Sequence, residues 1–206
     1  EVLYTVKSEF HENIIEVSGN VKAAQQQVMQ TKNDGTVKKV NVKVGDKVKA
    51  GQAIVELDAS EQEYNLANHN YKMEQTSING SKKELAVMKM QQKMLENKLS
   101  DRTITARFDG VVTDLNVDEG DYLNTDLAKD VGTIIDRSYL YAEVEVVESD
   151  ASRLRIGQDV IFSFPSYPEL KVKGYVKFYP ATGRITSRGA TVLDAEIRID
   201  NPPEEI

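Results

Sequence analysis

The chain has 206 residues, a formal net charge of −7, 40% apolar residues and no cysteine. That balance argues against a nucleic-acid binder, which needs basic surface to displace counterions from phosphates. The missing cysteine excludes disulfide staples, thiolate zinc sites and thiol nucleophiles. No stretch reaches the roughly 18 to 20 apolar residues of a membrane span. The chain opens on Glu1 without a leader, and 200–206 begins a turn that leads nowhere, so truncation at both ends, with an anchor or signal removed, is expected.

A repeat organises the first two thirds. The stretch 35–46 aligns with 110–121 at a constant offset of 75, with Val37/Val112, Asn41/Asn116 and Val42/Val117 identical. Both copies alternate apolar and polar residues like half-buried strands, and both reach Gly-Asp (Gly45-Asp46, Gly120-Asp121) where a turn needs positive φ. Two such half-motifs predict one small sandwich, neither half burying a core alone. A strand over 14–17, paired with the last strand, is also expected.

Between the halves the period changes from 2 to 3.6. Ser60 and Glu63, then Ser81 and Glu84, read as capping boxes, and Asn79-Gly80 separates them. Leu85, Met88, Leu95 and Leu99 form a stripe with Gln92 in its vacant slot, expected to pack on Tyr64, Ala67 and Tyr71. The reading is an antiparallel helical hairpin over 59–102, its arms reaching roughly 27 Å at about 1.5 Å per residue. Downstream, strands over 139–147, 159–164, 170–179 and 191–199, with a short helix near 148–154, suggest a small barrel.

The residues Gly35, Gly45-Asp46, Val48, Gly51-Gln52 and Leu57-Asp58, then the hairpin, then Thr103-Ile104-Thr105-Ala106-Arg107-Phe108-Asp109-Gly110-Val111-Val112, resemble the split lipoyl-like domain of membrane fusion proteins, the HlyD-type periplasmic adaptors. The 144–160 region resembles that family's barrel, and 197–202 the returning strand of its membrane-proximal domain. Among its branches the macrolide-efflux adaptors that work with an ABC-type permease look nearest. The resemblance implies a mainly β chain: a barrel-sandwich hybrid (18–58 and 103–136) interrupted by a helical hairpin (59–102), then a β-barrel (137–183) and a partial membrane-proximal domain (1–17 and 184–206). It implies a non-catalytic, cofactor-free adaptor, commonly hexameric, held to the membrane by an N-terminal anchor and working with an ABC permease and its ATPase. The tip, with Ile78, Asn79 and Gly80, has no arginine of the kind used to dock on an outer-membrane channel. This tilts the location toward the outer face of a cell lacking an outer membrane, with a periplasmic location otherwise.

Other motifs read more plainly. Met88-Lys89-Met90 resembles the acylated lysine motif of biotin carriers, so a biotin- or lipoyl-carrier module of a cytoplasmic complex is the alternative. Lys89, however, falls in a predicted helix, and Asp58-Ala59 occupies the carrier-lysine position. His11 and His69 lack metal-ligand spacing and read as solvated or capping. Six lysines lie in 32–49, whereas seven acids oppose Lys129 in 109–130. That asymmetry reads either as two solvated faces or as a head-to-tail contact of Lys38, Lys39 and Lys43 with Asp114 and Asp126 of a neighbour. The macrolide-type adaptors carry a lumen glutamine in the loop matching 116–121. Here stand Asp118, Glu119 and Asp121, a candidate acidic gate.

Overall fold

The computed structural model describes residues 14–127 and 130–206. His11, the expected N-terminal part of the membrane-proximal piece up to residue 13, and Lys129 lie outside them. The chain forms two compact units, Ala23–Arg137 and Glu1–Lys22 with Ser138–Ile206.

In Ala23–Arg137 the repeat becomes two facing layers. The first half gives β2 (Gly35–Val40), β3 (Lys47–Val48) and β4 (Ala53–Leu57); the second gives β6 (Gly110–Leu115), β7 (Tyr122–Leu123) and the start of β8 (Gly132–Val147). The halves exchange strands. β2 pairs with β7 of the other half and β6 pairs with β3. One layer runs β5 (Thr103–Thr105), β4, β2, β7; the other joins β3, β6 and β8, to which β1 (Gly19–Met29) also pairs. β2 on β4 and β6 on β8 each carry a bulge at the equivalent position, after Val37 and after Val112. The apolar face of each alternating strand turns inward. Val37, Ile54, Val55, Leu57, Val112, Val131 and Ile134 share a core in which all are at most 2% exposed.

β1 was not legible as a strand, because its Ala-Gln-rich run hides the alternation. It holds its place through Gln27, a buried amide that donates Nε2–H to Thr105 O (3.0 Å) and accepts Arg107 N–H at Oε1 (2.8 Å). A buried polar group satisfied at both ends costs little.

The hairpin leaves this sandwich between β4 and β5 as α1 (Ser60–Asn79) and α2 (Lys82–Ser100). The second expected cap forms: the Ser81 hydroxyl accepts Glu84 N–H at 3.2 Å. The first does not. Ala59 is the N-cap, and Ser60 instead donates its N–H and hydroxyl to the Asp58 carboxylate. The seam also differs on one side. On α2 the expected residues Leu85, Met88, Gln92, Leu95 and Leu99 are the half-buried ones, but on α1 the buried and half-buried ones are Gln62, Leu66, His69, Asn70, Met73 and Thr76. The expected partners Tyr64, Ala67 and Tyr71 are exposed instead. The 3–4 spacing of Leu66, His69 and Met73 competes with that of the tyrosines, and the buried imidazole settles the face.

In the other unit, the Ser138–Val147 part of β8 pairs with β12 (Thr191–Asp200), which pairs with β10 (Tyr167–Phe178), which pairs with β9 (Asp159–Phe164). β11 (Arg184–Ile185) adds to β12, and α3 (Glu148–Ala151) is a single turn. Ala142, Val144, Val146, Leu154, Val176, Ala195 and Ile197 form its core. Residues 14–18 are not a strand, and β12 takes β8 as its partner instead. Ile15 packs on the core without backbone pairing.

A Cβ on Gly110 would sit 2.4 Å from the backbone oxygen of Ile135, whereas one on Gly35 meets the end of the Arg102 side chain. Backbone cannot yield as a side chain can. We expect Gly110→Ala to destabilise by about 1–3 kcal/mol and Gly35→Ala by clearly less, read from urea unfolding midpoints.

Candidate functional site

Four turns share one design. In Lys43-Val44-Gly45-Asp46, Asp118-Glu119-Gly120-Asp121, Lys49-Ala50-Gly51-Gln52 and Arg155-Ile156-Gly157-Gln158, the third residue is a glycine with φ between 80° and 95°. The fourth residue bonds twice to the first. Its N–H donates to that residue's carbonyl, and its side-chain oxygen accepts that residue's N–H. Positive φ at the third position is the geometry of a type II turn, and the Asp or Gln side chain supplies the acceptor that fixes it.

The two Gly-Asp turns are then locked by the opposite half. Gly45 N–H donates to Val112 O and Val112 N–H to Asp46 O; Gly120 N–H donates to Val37 O and Val37 N–H to Asp121 O, all at 2.8–3.0 Å. One residue before each repeat stands a second reciprocal pair. The Asp109 carboxylate accepts Ala50 N–H (2.8 Å) and Lys49 Nζ (2.9 Å), while Asp34 accepts Thr125 N–H and its hydroxyl, both at 2.7 Å. Asp34 and Asp109 are again 75 apart. Extending the alignment leftward by one residue would have found them.

These bonds hold the carboxyls below the ordinary carboxylate value. For Asp34 the Thr125 N–H contributes most, for Asp109 the Ala50 N–H, and for Asp58 the Ser60 hydroxyl.

The acidic loop is built from the same turn. Asp121 accepts its own turn's Asp118 N–H, and Glu119 Oε1 accepts Val40 N–H at 3.1 Å. Two of the three loop carboxylates thus carry structural bonds. Lys38 and Lys39 on β2 and Lys43 at the turn are exposed, as are Asp114 on β6 and Asp126 in the one-turn 3-10 helix Thr125–Leu127. Asp114 accepts from Asn116 Nδ2 at 2.8 Å. At the fixed offset of 75, Lys39 corresponds to Asp114 and Lys43 to Asp118, so at these two positions the repeat keeps its shape and reverses its charge. Part of the basic stretch is spent within the chain, in the Lys49–Asp109 and Lys32–Asp101 ion pairs.

At the tip, Ile78 is exposed, Asn79 ends α1, and Gly80 N–H closes the helix on Thr76 O. His69 is 7% exposed rather than solvated or capping. Its Nε2 lies 2.8 Å from Met88 O, and a carbonyl only accepts, so that nitrogen carries the proton. Gln92 donates to Asn70 Oδ1 across the same seam (2.8 Å). Lys89 lies inside α2, not at a β-hairpin, and the carrier reading is not favoured. Among the described residues no group of three or more His, Asp or Glu side chains is placed to hold a metal, and no helix is long and apolar enough to cross a membrane.

The geometry is thus a two-half sandwich closed by exchanged turns and opened once by a helical hairpin, followed in the chain by a small β-unit. Residues 17–135 match the family model described as RND MFP, barrel-sandwich hybrid domain. The chain belongs to the membrane fusion protein family of efflux adaptors, membrane-associated proteins that are generally non-catalytic.

Among solved structures it is similar to a MacA-MexA chimeric protein containing the Pseudomonas aeruginosa MexA α-hairpin domain. There the TM-score is 0.68 at 22% identity, covering 94% of this chain and 79% of the other. It is also similar to the membrane fusion protein Spr0693 from Streptococcus pneumoniae R6, with a TM-score of 0.63 at 20% identity over 91% and 92% of the two chains. An uncharacterized protein of Haemophilus influenzae (strain ATCC 51907 / DSM 11121 / KW20 / Rd) is 27% identical over 166 residues, 71% of this chain, and the chain spans 43% of that relative's length.

Because Asp34 and Asp109 are depressed, the folded state binds their protons less tightly than the unfolded chain. The stability they add is complete above the unfolded value, about 3.9, and is lost as pH falls through the depressed values. Urea unfolding followed downward from about pH 5 should show that loss below about pH 4. The paired Asp34→Asn and Asp109→Asn variant should flatten the slope there.

Proposed function

We propose that the chain is the non-catalytic adaptor subunit of an ABC-type efflux system, linking the permease to the conduit outside the cytoplasm. The observation that carries this is the hairpin spliced between the two sandwich halves. A carrier domain joins its halves by a short turn that presents a lysine, whereas this chain spends 40-odd residues on a projecting arm. In this reading ATP hydrolysis belongs to a separate ATPase subunit. A membrane anchor preceding these residues holds the protein at the extracytoplasmic face, with 14–17 and 184–206 nearest the membrane beyond the 137–183 barrel. The short tip at Ile78, Asn79 and Gly80, free of arginine, favours a cell without an outer membrane. The family model's own description names RND systems, so an RND permease in place of the ABC permease is the second reading.

We also propose that copies meet head to tail, with Lys38, Lys39 and Lys43 of one facing Asp114 and Asp126 of the next, in a ring of the hexameric kind. Unlike surfaces are what a heterologous contact requires, and the reversal of charge at equivalent repeat positions supplies them. Complementary charge sets register and on-rate more than affinity. The loop with Asp118, Glu119 and Asp121 then faces the lumen, where the ring of carboxylates concentrates negative potential and favours cationic or neutral cargo.

Gentle solubilisation of native membranes and identification of what co-purifies tests the main reading. An ABC permease with its ATPase at comparable abundance is the expected result. An RND pump in their place overturns the ABC assignment, and a soluble carboxylase or dehydrogenase complex overturns the adaptor. Reversing Lys38, Lys39 and Lys43 to Glu should weaken assembly and change its salt dependence in sedimentation; unchanged assembly overturns the charge contact. Glu119→Gln keeps an acceptor for Val40 N–H while removing the charge, so a shift in cargo preference in export assays should follow without loss of stability.

A further inference from the structure

The small β-unit does not close on itself among the described residues. Its sheet ends at β9, which pairs with β10 on one side and with no strand on the other. The start of β9 and residues 14–17 both line a cavity of about 390 Å³. Its floor is the core of the unit: Val146, Val176, Ala195 and Ile197 are each at most 4% exposed. Protein interiors are close-packed, and voids larger than a water molecule are few. Ligand pockets, in contrast, span roughly 300–1,000 Å³ and are apolar with a few placed polar groups. The cavity has the size and lining of a pocket rather than of a packing fault.

The cavity also has a way in. Residues 14–17 belong to no strand, and Ile15 is held by packing on the core rather than by a backbone ladder. A segment with few apolar contacts and no ladder opens locally at low cost.

The polar lining is confined to two neighbours where β9 begins. Gln158 is committed to its turn, where its side-chain oxygen accepts Arg155 N–H. Asp159 is exposed, is the one ionisable residue lining the cavity, and pairs with no cation among the described residues. An apolar cavity with a single carboxylate at its rim draws a cation there and repels an acid, while burial of apolar surface supplies the affinity.

We propose that this cavity binds a small amphiphilic amine, its apolar body against Val176 and Ile197 and its ammonium at Asp159. The site belongs to a different unit of the chain from the acidic loop of Asp118, Glu119 and Asp121. It depends neither on the identity of the permease nor on ring formation.

The chain has no tryptophan, so an apolar dye such as N-phenylnaphthylamine can be followed against a low background. Titrated into the full chain, the dye should show saturable enhancement. Decylammonium, below its micelle concentration, should displace it at a several-fold lower concentration than decanoate. Asp159→Asn should remove that preference and leave dye binding intact. Ala195→Leu, which fills the floor, should weaken dye binding several-fold, with folding checked by the unfolding midpoint. Ile161→Lys, at an exposed position lining the same cavity, should weaken decylammonium binding and is the second variant if Ala195→Leu does not fold.

No saturable enhancement means that the chain itself or a second copy fills the cavity, and overturns the proposal. Dye binding that both Ala195→Leu and Ile161→Lys leave unchanged lies elsewhere and overturns it too. A preference for decylammonium that survives Asp159→Asn comes from the overall charge of −7 and overturns the assignment of Asp159. Decanoate binding as well as decylammonium overturns the amine. None of these failures touches the adaptor reading, which the co-purification experiment tests separately.

Discussion

The structure depends on the exchange of backbone bonds between two Gly-Asp turns and the two strands that face them. A turn with a glycine at positive φ exposes an N–H and a carbonyl that a core cannot leave unmet. Here neither half meets them itself: Gly45 and Asp46 bond to Val112, and Gly120 and Asp121 to Val37. Asp109 and Asp34 repeat the exchange one layer out, each carboxylate fixing a turn of the opposite half. The halves are thus obligate partners, and the segment between them can be long, because loop-closure cost grows only slowly with length. That tolerance is what lets a helical hairpin be inserted without breaking the sandwich.

The same exchange separates shape from charge. Backbone bonds and inward apolar residues define the two halves, and their exposed positions are free to differ. Lys39 against Asp114 and Lys43 against Asp118 use that freedom to give an almost symmetric body unlike surfaces. The ion pairs Lys49–Asp109 and Lys32–Asp101 show the other use of the same charges, within the chain. Exposed pairs of this kind contribute little to stability, so the fold rests on the exchanged backbone bonds and the apolar core rather than on these charges.

The sandwich was legible because its signals are local. Alternation, Gly-Asp turns and a constant offset are all visible within a dozen residues. β1 was not, because its place is fixed by Gln27 bonding to Thr105 and Arg107, some 80 residues away. Residues 14–17 read as a strand on apolar content alone, yet β8 already occupies the edge of β12. On α1 periodicity offered two faces, and the larger aromatic side chains pointed to the wrong one. Only the pairing with α2 shows that Leu66, His69 and Met73 face inward. Ser60 failed as a cap because Asp58, two residues earlier, competes for its hydroxyl and N–H. The acidic loop was legible as chemistry, but not as structure: that Glu119 is tied to Val40 and Asp121 to its own turn follows from the fold.

The hairpin's own seam is thin. Among the described residues of its two helices only His69 is buried, and the seam includes Gln62, Asn70 and Gln92 beside its leucines and methionines. The stability of a helix in a protein comes mostly from packing of its apolar face rather than from propensity, and here that face is half covered and partly polar. The polar pairs are satisfied, His69 on Met88 and Gln92 on Asn70, so they fix register more than they add burial. Polar groups placed in an otherwise apolar seam favour one alignment over slipped alternatives. A hairpin held in register by two polar contacts has its geometry settled internally and its burial left incomplete.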